Sequence, residues 1–259
     1  MNTYLVADES YVLSAPLPIP GVGVLPVNSS LIRGREPVLI DTCAPIHRQE
    51  FFDALQALID PQDVRWIFIT HDDRDHTGNL LQTLELCPNE KLVTTFVGVG
   101  RMSEEFQLPL NRVLLLNDGE ALDAGDRTLA AVRPPIFDGP GTRGLFDPKT
   151  GVYYSVDAFG APVEQICEHS GDVPAEMYEG NLLWFNRVNH PWHDVADPAK
   201  FDAQVDRVRK LDAKTIVSSH GPVAHGRSAE ICDLLSRVSR LEAVPLPTQA
   251  DLMAMLGVH

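Results

Sequence analysis

Apolar positions along the chain fall into short blocks separated by polar turns, and the spacing inside each block predicts an element. Residues 11–14, 22–32 and 37–41 read as strands, with turn residues such as Arg33-Gly34-Arg35-Glu36 between them. Over residues 48–60, Phe51, Phe52, Leu55, Leu58 and Ile59 share one face at helical spacing. Residues 64–70 read as a buried strand, 78–86 as a helix and 91–96 as a further strand. The second half repeats this style. Residues 112–116, 128–132, 144–146 and 152–155 read as strands, the last two joined by the turn Asp147-Pro148-Lys149-Thr150-Gly151. Residues 199–211 place Phe201, Val205, Val208 and Leu211 at helical spacing. A strand at 215–218 and a helix at 229–241 follow, and the stretch around Pro245 and Pro247 introduces a short final helix. Two β-rich halves, each faced by helices, fit an α+β fold of four layers, an αββα sandwich.

Composition narrows the field without naming a substrate. An apolar content of 44% is ample for a core in 259 residues. A net charge of −15 argues against nucleic acid or anionic membranes as partners. The start, Met1-Asn2-Thr3-Tyr4-Leu5-Val6-Ala7-Asp8-Glu9, has no basic region or long apolar core of a signal peptide. No run approaches the ~18 apolar residues of a membrane helix, so a cytoplasmic protein is expected. Cys43, Cys87, Cys167 and Cys232 are scattered with no Cys-x-x-Cys pair and read as reduced thiols.

The chemistry concentrates in Ile69-Thr70-His71-Asp72-Asp73-Arg74-Asp75-His76-Thr77-Gly78, directly after the apolar run 64–69. Imidazole and carboxylate hold first-row metals, and a loop leaving a buried strand can aim several at one point. Downstream stand Phe137-Asp138-Gly139-Pro140-Gly141, Tyr154-Ser155-Val156-Asp157-Ala158-Phe159-Gly160 and Ser218-Ser219-His220-Gly221-Pro222. Together with 25–32 and Val38-Leu39-Ile40-Asp41-Thr42, this series resembles the metallo-β-lactamase superfamily. The acid at Asp73, where that superfamily usually carries His, resembles the oxygen-binding di-iron domain of flavodiiron proteins, as do Ser155 to Gly160, Trp184-Phe185-Asn186 with Pro191, and Ser219-His220-Gly221-Pro222.

The resemblance implies a single domain over 1–259 with two metal ions. One would be held by His71, Asp73 and Asp138, the other by Asp75, His76 and His220, and Asp157 would bridge them. Asp138 takes the place of a usual His, and Asp72 and Arg74 alternate with the ligands and point away. Independently of the resemblance, three imidazoles and four carboxylates form a hard donor set that favours iron, or manganese, over zinc. That suits an oxidoreductase or an O2-binding protein. A zinc metallohydrolase for an ester, thioester or lactone, with Asp75 orienting the nucleophile, is the alternative, and a non-catalytic sensor of O2 or metal is the third reading. Asn186, His190, His193 and His225 are expected to line a substrate pocket or to buttress the ligands. Glu176, Met177 and Glu179 sit on a helix that could face the same pocket; His47, His169 and His259 are read as surface residues. Flavodiiron proteins continue into a flavodoxin-like domain. In this sequence there is no phosphate-cradling Gly-rich loop before His259, so no flavin is expected in the chain. Electrons would come from a separate partner or the substrate. A homodimer is common among proteins of this resemblance.

Overall fold

The computed structural model describes residues 1–105 and 107–257, so the surface reading of His259 falls outside the described residues. β1 (Asn2–Ala7), β2 (Ser10–Ile19), β3 (Gly23–Ile32), β4 (Val38–Ile40), β5 (Trp66–Phe68), β6 (Lys91–Thr94) and β7 (Val113–Leu115) form one sheet in that spatial order. Pairing is antiparallel from β1 to β4 and parallel from β4 to β7. β8 (Ala121–Asp123), β9 (Thr128–Val132), β10 (Gly144–Asp147), β11 (Val152–Tyr154), β12 (Thr215–Val217) and β13 (Ala224–His225) form the second sheet. Only β11 and β12 pair in parallel there.

Period-two alternation splits each strand between two cores, and this makes the layers. In β4, β5 and β6, Leu39, Ile67 and Leu92 pack outward with Phe51 and Leu55 of α1 (Arg48–Leu58). Their neighbours Ile40, Phe68 and Val93 face the opposite sheet, where they meet Leu129, Leu145, Val152 and Val217. In the second sheet, Tyr153 and Ile216 point outward. α2 (Arg74–Thr77), α3 (Leu80–Leu86) and α4 (Phe96–Met102) complete the first half, and α5 (Ala175–Val188), α6 (Pro198–Arg209) and α7 (Ser228–Val238) the second. Tyr153 and Ile216 pack with Leu182 of α5, Val205 of α6 and Leu235 of α7. Three apolar cores thus separate four layers, the αββα sandwich. A last helix, α8 (Gln249–Met255), begins at a Thr248–Asp251 capping box.

Several elements differ from the sequence reading. β2 runs to Ile19, through Pro16 and Pro18, beyond the expected end at 14. β1 pairs with β2 only as far as Ser14, so both prolines sit where the strand has a free edge and the missing N–H costs nothing. The strand expected over 91–96 stops at Thr94, because Thr95 caps α4 by accepting the N–H of Gly98. β1, β8 and β13 are additional strands. The hairpin turn at 147–151 forms as read: Asp147 accepts the N–H of Lys149 and the hydroxyl of Thr150, and Gly151 takes φ +75°.

Gly78 seats the His71–His76 loop on the sheet. A Cβ there would stand 2.4 Å from Pro45 Cδ and 2.6 Å from the carbonyl oxygens of Arg74 and Cys43. Two of those neighbours are backbone. Gly78→Ala should lower stability by about 1–3 kcal/mol, read as a lower urea midpoint. An unchanged midpoint would contradict this packing.

Candidate metal centre

The parallel pairs β4–β5 and β11–β12 end on the same edge of the sandwich, and the candidate ligands leave from those ends. His71 follows β5, and Asp73 is the N-cap residue of α2. Asp75 and His76 lie in that single turn, Asp138 in the loop after β9, Asp157 after β11 and His220 after β12. Their donor atoms converge in three overlapping groups, His71–Asp73–Asp138, Asp75–His76–His220 and His71–His76–Asp157. Asp157 stands between the halves. Its Oδ2 is 3.8 Å from His71 Nε2, and its Oδ1 is 3.2 Å from His76 Nε2 and 3.4 Å from His220 Nε2. Asp75 Oδ2 is 3.2 Å from His220 Nε2. Asp73 is a methylene shorter than glutamate, yet its Oδ2 reaches to 3.6 Å from His71 Nε2, while Asp138 Oδ1 stands at 3.8 Å.

Each imidazole is turned by a partner on its other nitrogen. His76 donates from Nδ1 to Asp41 Oδ2 at 2.7 Å, and His220 donates from Nδ1 to the carbonyl of Pro26 at 2.9 Å. Thr70 gives its hydroxyl proton to Asp41 Oδ2 at 2.8 Å and stands 3.3 Å from His71 Nδ1, which donates to it. All three Nε2 atoms are thereby aimed inward, the arrangement that orients and tunes metal ligands once they are deprotonated. Asn189 donates to Asp157 Oδ2 at 3.0 Å.

The backbone is strained to achieve this. Asp41, Cys43, Val156 and Phe159 all take φ between 58° and 66°, and none is glycine. Hydrogen bonds hold the strained loops. Asn186 accepts from Phe159 N and donates to Gly160 O, fixing the Asp157 loop. Asn28 donates to Ser218 O and Gly221 O, both at 2.8 Å, fixing the His220 loop.

Without a cation the site is electrostatically unbalanced. Burial disfavours the charged forms, but Asp157 and Asp75 overcome it and lift His220 to about 10. His76 is raised well above its usual value against burial, by Asp75, Asp41 and Asp157. Asp157 is itself held well below the usual carboxylate range, because His220 and His71 outweigh burial. Asp138 goes the other way, raised by burial and by Asp157. His71 Nε2, His76 Nε2 and Asp157 Oδ1 are buried with no hydrogen-bond partner. Two donors each about 2.1 Å from one ion stand roughly 3.0–3.4 Å apart, close to the spacings observed. The residues fit a dinuclear metal centre.

The structure gives the remaining candidates different places. His190 is fully buried, donates from Nδ1 to Asn186 O at 3.0 Å, and is pushed down to about 4 by burial; its charge couples to Asp157, His71 and His220. His193 is instead turned to α7, donating to Val238 O, and His225 bonds Thr215 Oγ1 at the far end of β12. Neither belongs to the ligand groups, because each serves the packing of its own loop. Asp72 pairs with Arg101 and Arg74 with Glu105, outside the cluster. Glu179 pairs with Arg237, and Glu176 is exposed. His47 is half-buried and 3.7 Å from Glu50, and His169 lies against His225. Burial pushes the Cys43 thiol up to about 12. Asp41, Thr70 and Asn189 had no assigned role in the sequence; Asp41 and Asn189 act on residues far along the chain, whereas Thr70 both orients its neighbour His71 and bonds distant Asp41.

Residues 25–221 match the family profile described as ODP family beta lactamase. The chain belongs to this family. An anaerobic nitric oxide reductase flavorubredoxin of Vibrio vulnificus is 28% identical over 211 residues, covering 80% of this chain and 42% of its own length. Diflavin flavoprotein A 1 of Synechocystis sp. is 32% identical over 134 residues, 51% of this chain and 23% of its own. Among solved structures, rubredoxin oxygen:oxidoreductase of Desulfovibrio gigas superposes with a TM-score of 0.77 at 20% identity, over 92% of this chain and 60% of that one. The flavodiiron protein of Giardia intestinalis gives 0.80 at 17%, over 93% and 60%. At such identities the structural likeness speaks for the fold. The ODP-family chain spans less than half the length of the curated relatives it matches. It is a homologue of the di-iron domain of flavodiiron proteins, with a buried His/Asp site in the corresponding fold. No described helix is long and apolar enough to cross a membrane.

Two outcomes follow from the site. Asp41→Asn should weaken metal affinity about 10–100-fold in chelator competition; undiminished affinity would remove Asp41 from the design. Because His76 and His220 hold protons at neutral pH in the metal-free protein, metal loading at pH 7 should release about two protons per chain. Affinity should therefore fall as pH is lowered. Calorimetry in buffers of different ionisation enthalpy measures the proton count, and zero release would contradict the assigned charge states.

Proposed function

We propose that this chain holds two iron ions and acts as an oxidoreductase on O2, with electrons from a donor outside residues 1–259. The observation that carries the reading is the carboxylate-rich cluster around buried Asp157. His71, Asp73 and Asp138 would hold one ion, Asp75, His76 and His220 the other, and Asp157 both. When bound, the irons supply redox equivalents and Lewis acidity. Four carboxylates are hard donors and favour the higher oxidation state. The names of the flavorubredoxin and of the rubredoxin oxygen:oxidoreductase support the reaction class.

The protein's own groups give the centre a closed side and an open side. Phe185 covers His220, with ring centres 5.4 Å apart, and keeps water from that face. Side-chain exposure is 52% at Asp73, 25% at Asp75 and 22% at Asp138, against 5% at Asp157. A small molecule therefore reaches the cluster from the groove that carries Asp73 and Asp75, away from Phe185. Asn189 keeps the Asp157 carboxylate turned so that each oxygen serves one half.

The test is reconstitution with iron and zinc both offered, followed by elemental analysis, a visible spectrum and O2 uptake after chemical reduction. About two irons per chain, a ferric absorption and O2 consumption are expected. Asp157→Ala should lose both ions, and Asp138→Ala about half the metal. Two zincs, no colour and turnover of a thioester or lactone would replace this reading with hydrolysis. A protein that retains no metal would sink both.

A further inference from the structure

Beside the Asp138 loop, positive charge gathers in a chain whose net charge is −15. Arg133 follows β9, Arg143 precedes β10 and Arg207 lies on α6. Asp118, in the connection before β8, is the acid among them. It accepts Arg207 Nη2 at 2.8 Å and the backbone N–H of Arg133 at 2.7 Å. Gln204 Oε1 accepts from Arg207 Nη1 at 3.1 Å and from Arg133 Nη2 at 3.4 Å, so one neutral oxygen draws two guanidinium groups together. Arg143 donates to Thr142 O at 2.5 Å, and its charge is attracted by Asp118 and repelled by Arg133 and Arg207. The Nε groups of Arg133 and Arg143 are buried with no hydrogen-bond partner. Like charges crowded around one carboxylate raise the energy of the folded chain, and unpartnered buried donors add to that cost.

We propose that Arg133, Arg143 and Arg207 form a binding site for a small oxyanion, a carboxylate or phosphate group, beside the metal centre. Guanidinium groups match the geometry of both anions and bind them through paired, charge-assisted hydrogen bonds. All three arginines are partly open to solvent, so an anion has access. The cluster also borders the metal loops. The Arg133 guanidinium sits 5.3 Å over the ring of Phe137, the residue before Asp138, and the Arg143 backbone N–H is bonded to Thr70 O, the residue before His71. Burial, together with the two neighbouring arginines, holds Arg143 below the usual arginine range, a further sign of uncompensated charge. The assignment stands on the arginines alone and is independent of which metal the chain holds.

The experiment is calorimetric titration of the metal-loaded chain with inorganic phosphate and, separately, with succinate. Saturable binding of at least one is expected, and whichever binds more tightly identifies the anion class. Arg133→Gln and Arg143→Gln should each weaken it about tenfold or more, with metal content unchanged. Arg207→Gln, at a side chain 39% exposed, provides a variant that should fold even if the other two do not. No saturable binding up to about 10 mM would overturn the proposal. So would binding that survives all three substitutions, or that disappears when the metals are chelated, which would place the anion on the metals.

Discussion

The buried carboxylate of Asp157, set among three imidazoles, is the constraint on which the rest depends. A carboxylate leaves water only where its charge is answered. Here protonated His76 and His220, together with the imidazole of His71, answer it, and Asn189 adds a neutral hydrogen bond. Asp73, Asp75 and Asp138 then bring more negative charge to the same space, so protons alone leave a surplus of acid. Divalent or trivalent cations would remove both the surplus and the unpartnered Nε2 and Oδ1 atoms. The charge balance of the site and its metal chemistry are therefore one problem.

The sandwich is arranged to supply that convergence. Strand ends from two different sheets meet at one edge only because the layers are stacked face to face, with Phe68, Val93, Val152 and Val217 in contact between them. Left-handed backbone at Asp41, Val156 and Phe159 re-aims the chain as it leaves the strands. Such conformations persist where surrounding bonds over-determine them, and Asn28, Asn186 and Asp41 provide those bonds. Asn28 and Asn186 act on the backbone of a loop, whereas Asp41, Thr70 and Asn189 act on the candidate ligands themselves.

Charge is also distributed unevenly beyond the ligands. The open groove that carries Asp72, Asp73 and Asp75 also holds Arg74, Arg101, Glu104 and Glu105, where both signs pair, whereas Arg133, Arg143 and Arg207 gather around the single acid Asp118 on the Asp138 flank. In a chain of net charge −15, a local positive field beside the centre acts on anions over short range and is screened beyond about 8 Å at physiological ionic strength. It bears on which molecules approach the cluster, separately from the chemistry that ions held there would supply.

The sequence by itself determined the layers and the donor types. The short apolar runs of β4, β6 and β12, buried on both faces, and the spacing of Phe201, Val205 and Val208 on one helix face are local signals, because each element must bury its apolar surface whatever its partner. The seven Asp and His donors were legible through the resemblance of their motifs to the di-iron domain of flavodiiron proteins, each motif following an apolar strand directly or one loop beyond. Tertiary structure alone decided which side chains turn those donors. Asp41 reaches His76 across 35 positions and Asn28 reaches the His220 loop across 190, distances over which no periodic pattern carries information. It also separated His190, buried within reach of the cluster's charges, from His193 and His225, which look equivalent in sequence but bond Val238 and Thr215. The prolines of β2 and the arginines around Asp118 belong to the same class, since a free strand edge and a shared carboxylate exist only once distant segments have packed.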